Sequence, residues 1–136
     1  MGLEKSLPIA FAGMSAQGTR LRVIAENLAN AESTAQTPGG EPYRRKIVTF
    51  KSVLDKTLGA TTVKVDHIMP GAGDFARRYD PAHPGADAEG YVLMPNVNPL
   101  MELMDMREAQ RTYEANLNTI DAAKSMISRT IDLLRG

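Results

Sequence analysis

Cysteine is absent from the 136-residue chain, and so is tryptophan. The first absence excludes disulfides, thiolate catalysis and cysteine-built zinc sites, and leaves the redox compartment open. Aromatic residues are only 5% of the chain, whereas hydrophobic residues reach 43%, mostly through Ala, Leu, Met, Val and Ile. Such a composition favours helix seams over one bulky centre. Net charge is missing too: sixteen basic side chains balance sixteen acidic ones, so no global field steers nucleic acid or an anionic membrane towards the protein. No run approaches the roughly 18 apolar residues that a membrane-spanning helix requires. The N-terminus carries an apolar patch from Leu7 to Met14, but not the charged region, unbroken apolar block and small-residue cleavage site of a signal peptide.

Against these absences, two stretches carry a strong helical rhythm. Leu3, Leu7, Ala10, Met14, Gln17, Leu21, Ile24 and Leu28 alternate steps of four and three, which is a heptad seam. Pro8 is poorly tolerated deep in a helix, and Ser6 can cap one, so the regular helix is expected to begin near residues 6 to 8. The last forty residues repeat the pattern through Leu103, Met106, Gln110, Tyr113, Leu117, Ile120, Lys124, Ile127, Ile131 and Leu134. Asn98 suits an N-cap and Pro99 a first turn, and no Gly or Pro follows until Gly136. One helix of roughly 36 residues and about 54 Å is predicted.

Between the helices the character changes. "YRRKIVTF" (43–50) and "TTVKVDHIM" (61–69) show partial period-two alternation, and "DFARRYD" continues it; these predict short strands. Around them "TPGGEP", "MPGAGD" and "DPAHPGAD" concentrate turn-forming residues. The expected organisation is therefore an N-terminal helix in 1–30, an extended loop and small β segment in 31–97, and a long C-terminal helix in 98–136. At "ENLANAEST" the first seam ends at Leu28, and Asn27 and Asn30 are residue types that satisfy late-turn backbone groups or end a helix in the left-handed conformation.

No catalytic constellation can be assembled. His67 and His83 lack a second ligand at metal spacing. Glu102, Asp105 and Glu108 complement the positive end of the long helix better than they make an acid/base pair. "YRRK" is too short for a nucleic-acid stripe and reads as a solvated strand or polar contact surface. No enzyme activity, metal, cofactor, small-molecule substrate or nucleic-acid partner is expected. The C-terminal helix carries apolar residues off its seam, including Leu100, Met101, Met104, Met126 and Leu133. A second apolar face asks for a second neighbour, which is the pattern of a polymerising protein whose termini order on assembly. A self-contained helical hairpin with a β insert is the alternative.

"ENLANAEST" after a heptad helix, and "NVNPLMELMDMREAQRTYEANLNTIDAAKSMISRTIDLL" closing the chain, resemble the paired terminal motifs of the bacterial flagellar axial proteins, the rod, hook and hook-associated group. The loop "AESTAQTPGGEPYRRKIVTF" and the run "YDPAHPGADAEGYVLMPNVNP" are similar to the proximal rod members. The resemblance implies a mostly α protein with long antiparallel, coiled-coil-like terminal helices and a small extended β-rich middle segment. It implies a structural subunit of the basal-body rod, packed as a tube around the export channel, transmitting torque and exported by the flagellum's own type III apparatus. Expected partners are further copies, other rod proteins, the rod-base adaptor and components of the export gate and membrane ring. The implied assembly residues are Leu7, Met14, Leu21, Ile24, Asn27, Leu28, Asn30, Leu103, Met106, Gln110, Tyr113, Asn116, Leu117, Ile120, Ile127, Ile131 and Leu134. With antiparallel helices, Gln17 falls near Tyr113, about one turn from Gln110, so Gln110 is expected to fix register as a buried polar seam residue. Another axial protein of the same system, a cytosolic helical adaptor and an interfacial membrane binder are the other readings; the absence of a basic polar face argues against the last.

Overall fold

The computed structural model describes residues 2–136, with Met1 outside the described residues. Its order is α1 (Leu3–Ala29), β1 (Lys46–Asp55), β2 (Ala60–Pro70), β3 (Ala76–Tyr79), β4 (Tyr91–Met94) and α2 (Pro99–Arg135). The helices hold 27 and 37 residues, just under half of the chain, and the four strands add about a fifth, close to an average share. The protein is therefore mixed in secondary structure rather than mostly α.

The start of α1 corrects the expectation drawn from Pro8. The helix begins at Leu3 and runs through the proline, with Lys5 N–H donating to the Gly2 carbonyl at 3.1 Å. Proline removes only the bond that would run back to Glu4, and Glu4 is exposed, so water can take that bond's place. The start of α2 agrees with its cap: Asn98 Oδ1 accepts from Leu100 and Met101 N–H at 3.1 and 3.4 Å, and Pro99 occupies the first helical position, where no N–H is needed.

The strands are longer than expected. β1 and β2, of 10 and 11 residues, pair as a two-stranded sheet. Thr49 meets His67 and Thr62 meets Val53, so the pair is an antiparallel hairpin. Its turn is set by Asp55, whose Oδ1 accepts from Thr57 and Leu58 N–H, and by Gly59 at φ 64°, a value that favours glycine. β3 and β4 form a separate antiparallel ribbon from Ala76↔Met94 to Tyr79↔Tyr91.

The chain divides into two compact units. The first takes Met1–Leu21, Thr49–His67 and Arg107–Gly136; the second takes Arg22–Val48 and Ile68–Met106. In the first unit α1 and α2 run antiparallel: the point where Gly13 would carry a Cβ lies 2.9 Å from Asn116, Gly18 faces the Tyr113 ring, and Arg20 pairs with Glu108 at 3.6 Å. Ala12, Ser15, Ala16 and Thr19 on α1 share a concavity with Val63 and Val65 of β2, and Ala16 is buried.

Burial along α2 moves half of the expected seam by one residue. Met106, Tyr113, Ile120 and Ile127 are buried or half-buried as expected, but the positions between them are Glu102, Ala109, Asn116 and Ala123. Leu103, Gln110, Leu117 and Lys124 are exposed instead. The backbones approach closely where Gly13 meets Asn116, and the inward positions Ala109 and Ala123 are small, whereas Leu103 and Leu117 lie outside. On α1 every expected seam residue is buried or half-buried, and the exposed positions reduce to Glu4, Phe11, Ser15, Arg22, Ala25 and Ala29.

Candidate functional site

The most highly organised polar cluster lies in the second unit, where α1 ends, β1 begins and α2 starts. Asn27 and Glu102 are each only 1% exposed, although both residue types belong at surfaces. Asn27 uses its full hydrogen-bonding capacity. Its Nδ2 donates to the Lys46 carbonyl at 2.8 Å and to Glu102 Oε2 at 3.4 Å, and its Oδ1 accepts from Lys46 N–H at 2.9 Å and from the Tyr43 hydroxyl at 2.7 Å. The other Glu102 oxygen accepts from Arg45 Nε, and the same guanidinium reaches Asp105 at 3.5 Å. Lys46 Nζ donates to Glu26 at 2.6 Å.

Every member of Tyr43-Arg44-Arg45-Lys46 thus has its own anchor. Arg44 donates to the Gly71 and Gly73 carbonyls at 2.9 and 3.2 Å and stacks over the Phe75 ring at 4.3 Å. The backbone of Arg45 is tied as well, its N–H to Asn96 Oδ1 at 2.6 Å and its carbonyl to Gly71 N–H at 2.7 Å. Burial, reinforced by the Glu26 and Glu102 carboxylates, pushes the Tyr43 phenol above its usual 10.0. Of the two sequence readings of the segment, a solvated strand or a polar contact surface, the structure supports the second: it is a clasp joining both helices.

The two asparagines of "NLAN" do different work. Asn30 ends α1: its N–H and Nδ2 both donate to the Glu26 carbonyl, and its Oδ1 accepts from the Ser33 hydroxyl. It does so without the left-handed conformation, which no non-glycine residue among those described adopts. Asn27 turns inward, one position before the half-buried Leu28. Of the other expected assembly residues, Leu7, Met14, Leu21, Met106, Tyr113, Asn116 and Ile127 are half-buried, Ile24 and Ile120 are buried, and Leu103, Gln110, Leu117, Ile131 and Leu134 are exposed.

The histidines have local roles. His83 Nδ1 accepts from Gly85 N–H, and Nε2 lies 2.9 Å from the Thr34 hydroxyl, which joins the 31–42 loop to the 80–90 loop. His67 sits exposed beside Asp66. Among the described residues, no group of three His, Asp or Glu side chains could hold a metal ion. The cavity of about 360 Å³ beside β3 and β4 is lined by Glu41, Arg77, Asp87 and Tyr91 among others. Arg77 already pairs with Asp87 and Glu89 and covers the Tyr91 ring, so its charge is spent within the fold. No helix is long and apolar enough to cross a membrane among the described residues.

Comparison with known proteins gives this arrangement a family. The C-terminal family described as "Flagellar basal body rod FlgEFG protein C-terminal" matches residues 88–133. The flagellar basal-body rod protein FlgC of Agrobacterium fabrum is 51% identical over 133 residues, covering 98% of this chain and 96% of that protein. FlgC of Salmonella typhimurium is 40% identical over 135 residues and 98% of each chain; that of Borreliella burgdorferi is 37% identical and covers the whole of both. With matches that run the length of the chain, through the clasp as well as both helices, the chain belongs to the flagellar basal-body rod protein FlgC family.

Proposed function

We propose that this protein is a structural subunit of the proximal rod of the bacterial flagellar basal body, a non-enzymatic part that assembles helically around the export channel and transmits torque. Family membership over nearly the full chain supports the rod assignment. The observation that carries assembly is the distribution of apolar side chains on α2. Leu100, Met101, Leu103, Met104, Leu117, Met126, Ile131, Leu133 and Leu134 are all exposed, Leu134 by 84%. Exposed apolar residues in such number mark an interaction surface rather than a finished exterior.

Division of labour between the two sets of α2 residues follows. Alanines and Asn116 serve the chain's own helix pair, and the outward leucines and methionines meet neighbours. Those neighbours are further copies, other rod proteins, the rod-base adaptor and components of the export gate and membrane ring. The protein acts in the periplasm-spanning rod, delivered by the flagellum's export apparatus. Residues 1–30 and 98–136 form the inner tube, and 31–97 carry the loop and β segment.

The test is to place a charge on the outward face alone. Leu103→Asp or Leu117→Asp should change the unfolding free energy of the purified chain by no more than an ordinary surface substitution does, about 0.5 kcal/mol, yet abolish swimming and remove the protein from isolated basal bodies. Normal motility with both substitutions would overturn the assignment of that face. Recovery of the protein only in the hook would instead favour another axial role.

A further inference from the structure

Register along a helix pair needs directional contacts, and the apolar seam supplies few. Burial of Ile24, Ala109, Ile120 and Ala123 is favourable whichever apolar neighbour is met, since the hydrophobic effect has no direction. At these four positions a slip of one turn exchanges one apolar contact for another. The polar pair has no such freedom. Asn27 and Glu102 meet across α1 and α2 at 3.4 Å, and neither is open to water. Asn27 would keep its bonds to Lys46 and Tyr43 in a slipped register, but Glu102 would lose both Asn27 and Arg45 and leave a charge in the seam without partners, a costly arrangement for a buried group. Gln110, the polar residue expected to set register, is exposed and faces no such penalty.

The charge on Glu102 is answered from outside the helix pair. Its cation is Arg45, held on one side by Asn96 and Gly71 through its backbone. On the other side Lys46 is bonded through both its N–H and its carbonyl to Asn27. We propose that the 43–46 segment is the key that fixes the register of α1 against α2: Arg45 and Asn27 acting on buried Glu102 make one helix pairing acceptable and penalise the rest. Arg45 is thus a positioning residue for the helices, although it lies on neither. The device belongs to the isolated chain and does not depend on the rod reading.

Because the protein has no cysteine, an engineered pair reports only on itself. Ile24 lies three residues before Asn27 and Met106 four after Glu102, so in an antiparallel pair they share the next layer. The full chain would carry Ile24→Cys with Met106→Cys for this register, or Ile24→Cys with Ala109→Cys for a slip of one turn, oxidised at dilution so that only intramolecular bonds are counted. With the clasp intact the first pair should trap at least about tenfold more than the second, as expected when the alternative buries an unpaired charge. In the Arg45→Met, Glu102→Leu double variant, which removes both charges together, the ratio should fall towards one while the helical circular dichroism is kept. An unchanged ratio in that variant, loss of its helicity, or equal trapping in the parent would each overturn the proposal.

Discussion

Glu102 shows how much one buried side chain can demand of its surroundings. A carboxylate in the first turn of a helix gains from the dipole, but at 1% exposure that gain alone does not offset the loss of water. Arg45 and Asn27 complete the arrangement, so removing one partner should cost more than removing both. Arg45→Met leaves the charge buried and should destabilise the chain by about 3 kcal/mol in urea denaturation, measurably more than the Arg45→Met, Glu102→Leu double variant. Tyr43 adds a pH dependence. Its phenol is held above 10.0 by burial first, then by Glu26 and Glu102, so the folded chain keeps its proton more tightly than the unfolded one. Its contribution is complete below the unfolded value near 10.0 and is lost as pH rises through the higher folded value. Denaturation midpoints should therefore fall on the alkaline side of 10.0, and Tyr43→Phe should flatten that fall. The same substitution removes the hydrogen bond to Asn27 and should cost about 1 kcal/mol near neutrality.

Helix α1 illustrates how an element can be shaped by its closest neighbour. Gly13 and Gly18 both lie inside it, and each carries the usual helix penalty of about 1 kcal/mol relative to alanine. Their surroundings differ: a Cβ at Gly18 would lie 3.9 Å from the Tyr113 ring, whereas one at Gly13 would come within 2.9 Å of the Asn116 amide. Gly18→Ala should raise stability by about 1 kcal/mol. Gly13→Ala should lose that gain, because Asn116 or the helix spacing must give way; thermal denaturation of the two single variants distinguishes them. The periodicity of α2 was legible in the sequence, with its length and its Asn98 cap. Its phase was not, because alternate positions of a three-four repeat sit beside one another on the helix, and a leucine outvotes an alanine in any count of hydrophobicity. Burial reverses that order, with Ala109 and Ala123 inside while Leu103 and Leu117 are exposed.

At the scale of the whole molecule, the two units differ in what holds them. The second gathers the Asn27 network, the Arg44 and Asn96 bonds to 71–73 and the β3–β4 ribbon, where the Tyr79 and Tyr91 rings meet edge-on at 5.3 Å. The first ends in a stretch of α2 where every residue from Ser128 onward is exposed. Local stability follows buried contact and bonding. Amide exchange in a verified monomer should thus be slow at Lys46 and Glu102 and fast over residues 128–136, with the latter becoming protected in assembled rods. Slow exchange across 128–136 in the free chain would contradict assembly-coupled ordering.

Both helices, their three-four spacing, the capped start of α2, the turn-rich middle and, through "ENLANAEST" and the closing run, the flagellar axial family can be read from the order of residues. These are local or repeated signals, and chain geometry converts them directly into elements. Only the folded chain shows that α1 extends before Pro8, that two strands reach ten and eleven residues, and that Glu102, Ala109, Asn116 and Ala123 turn inward in place of Leu103, Gln110, Leu117 and Lys124. It alone decided between a solvated strand and a polar contact surface for Tyr43-Arg44-Arg45-Lys46, and supplied the contacts that make it a clasp. Asn27 and Glu102 are 75 residues apart, and a charge or an amide becomes a structural device only when the fold takes it out of water and supplies its partner.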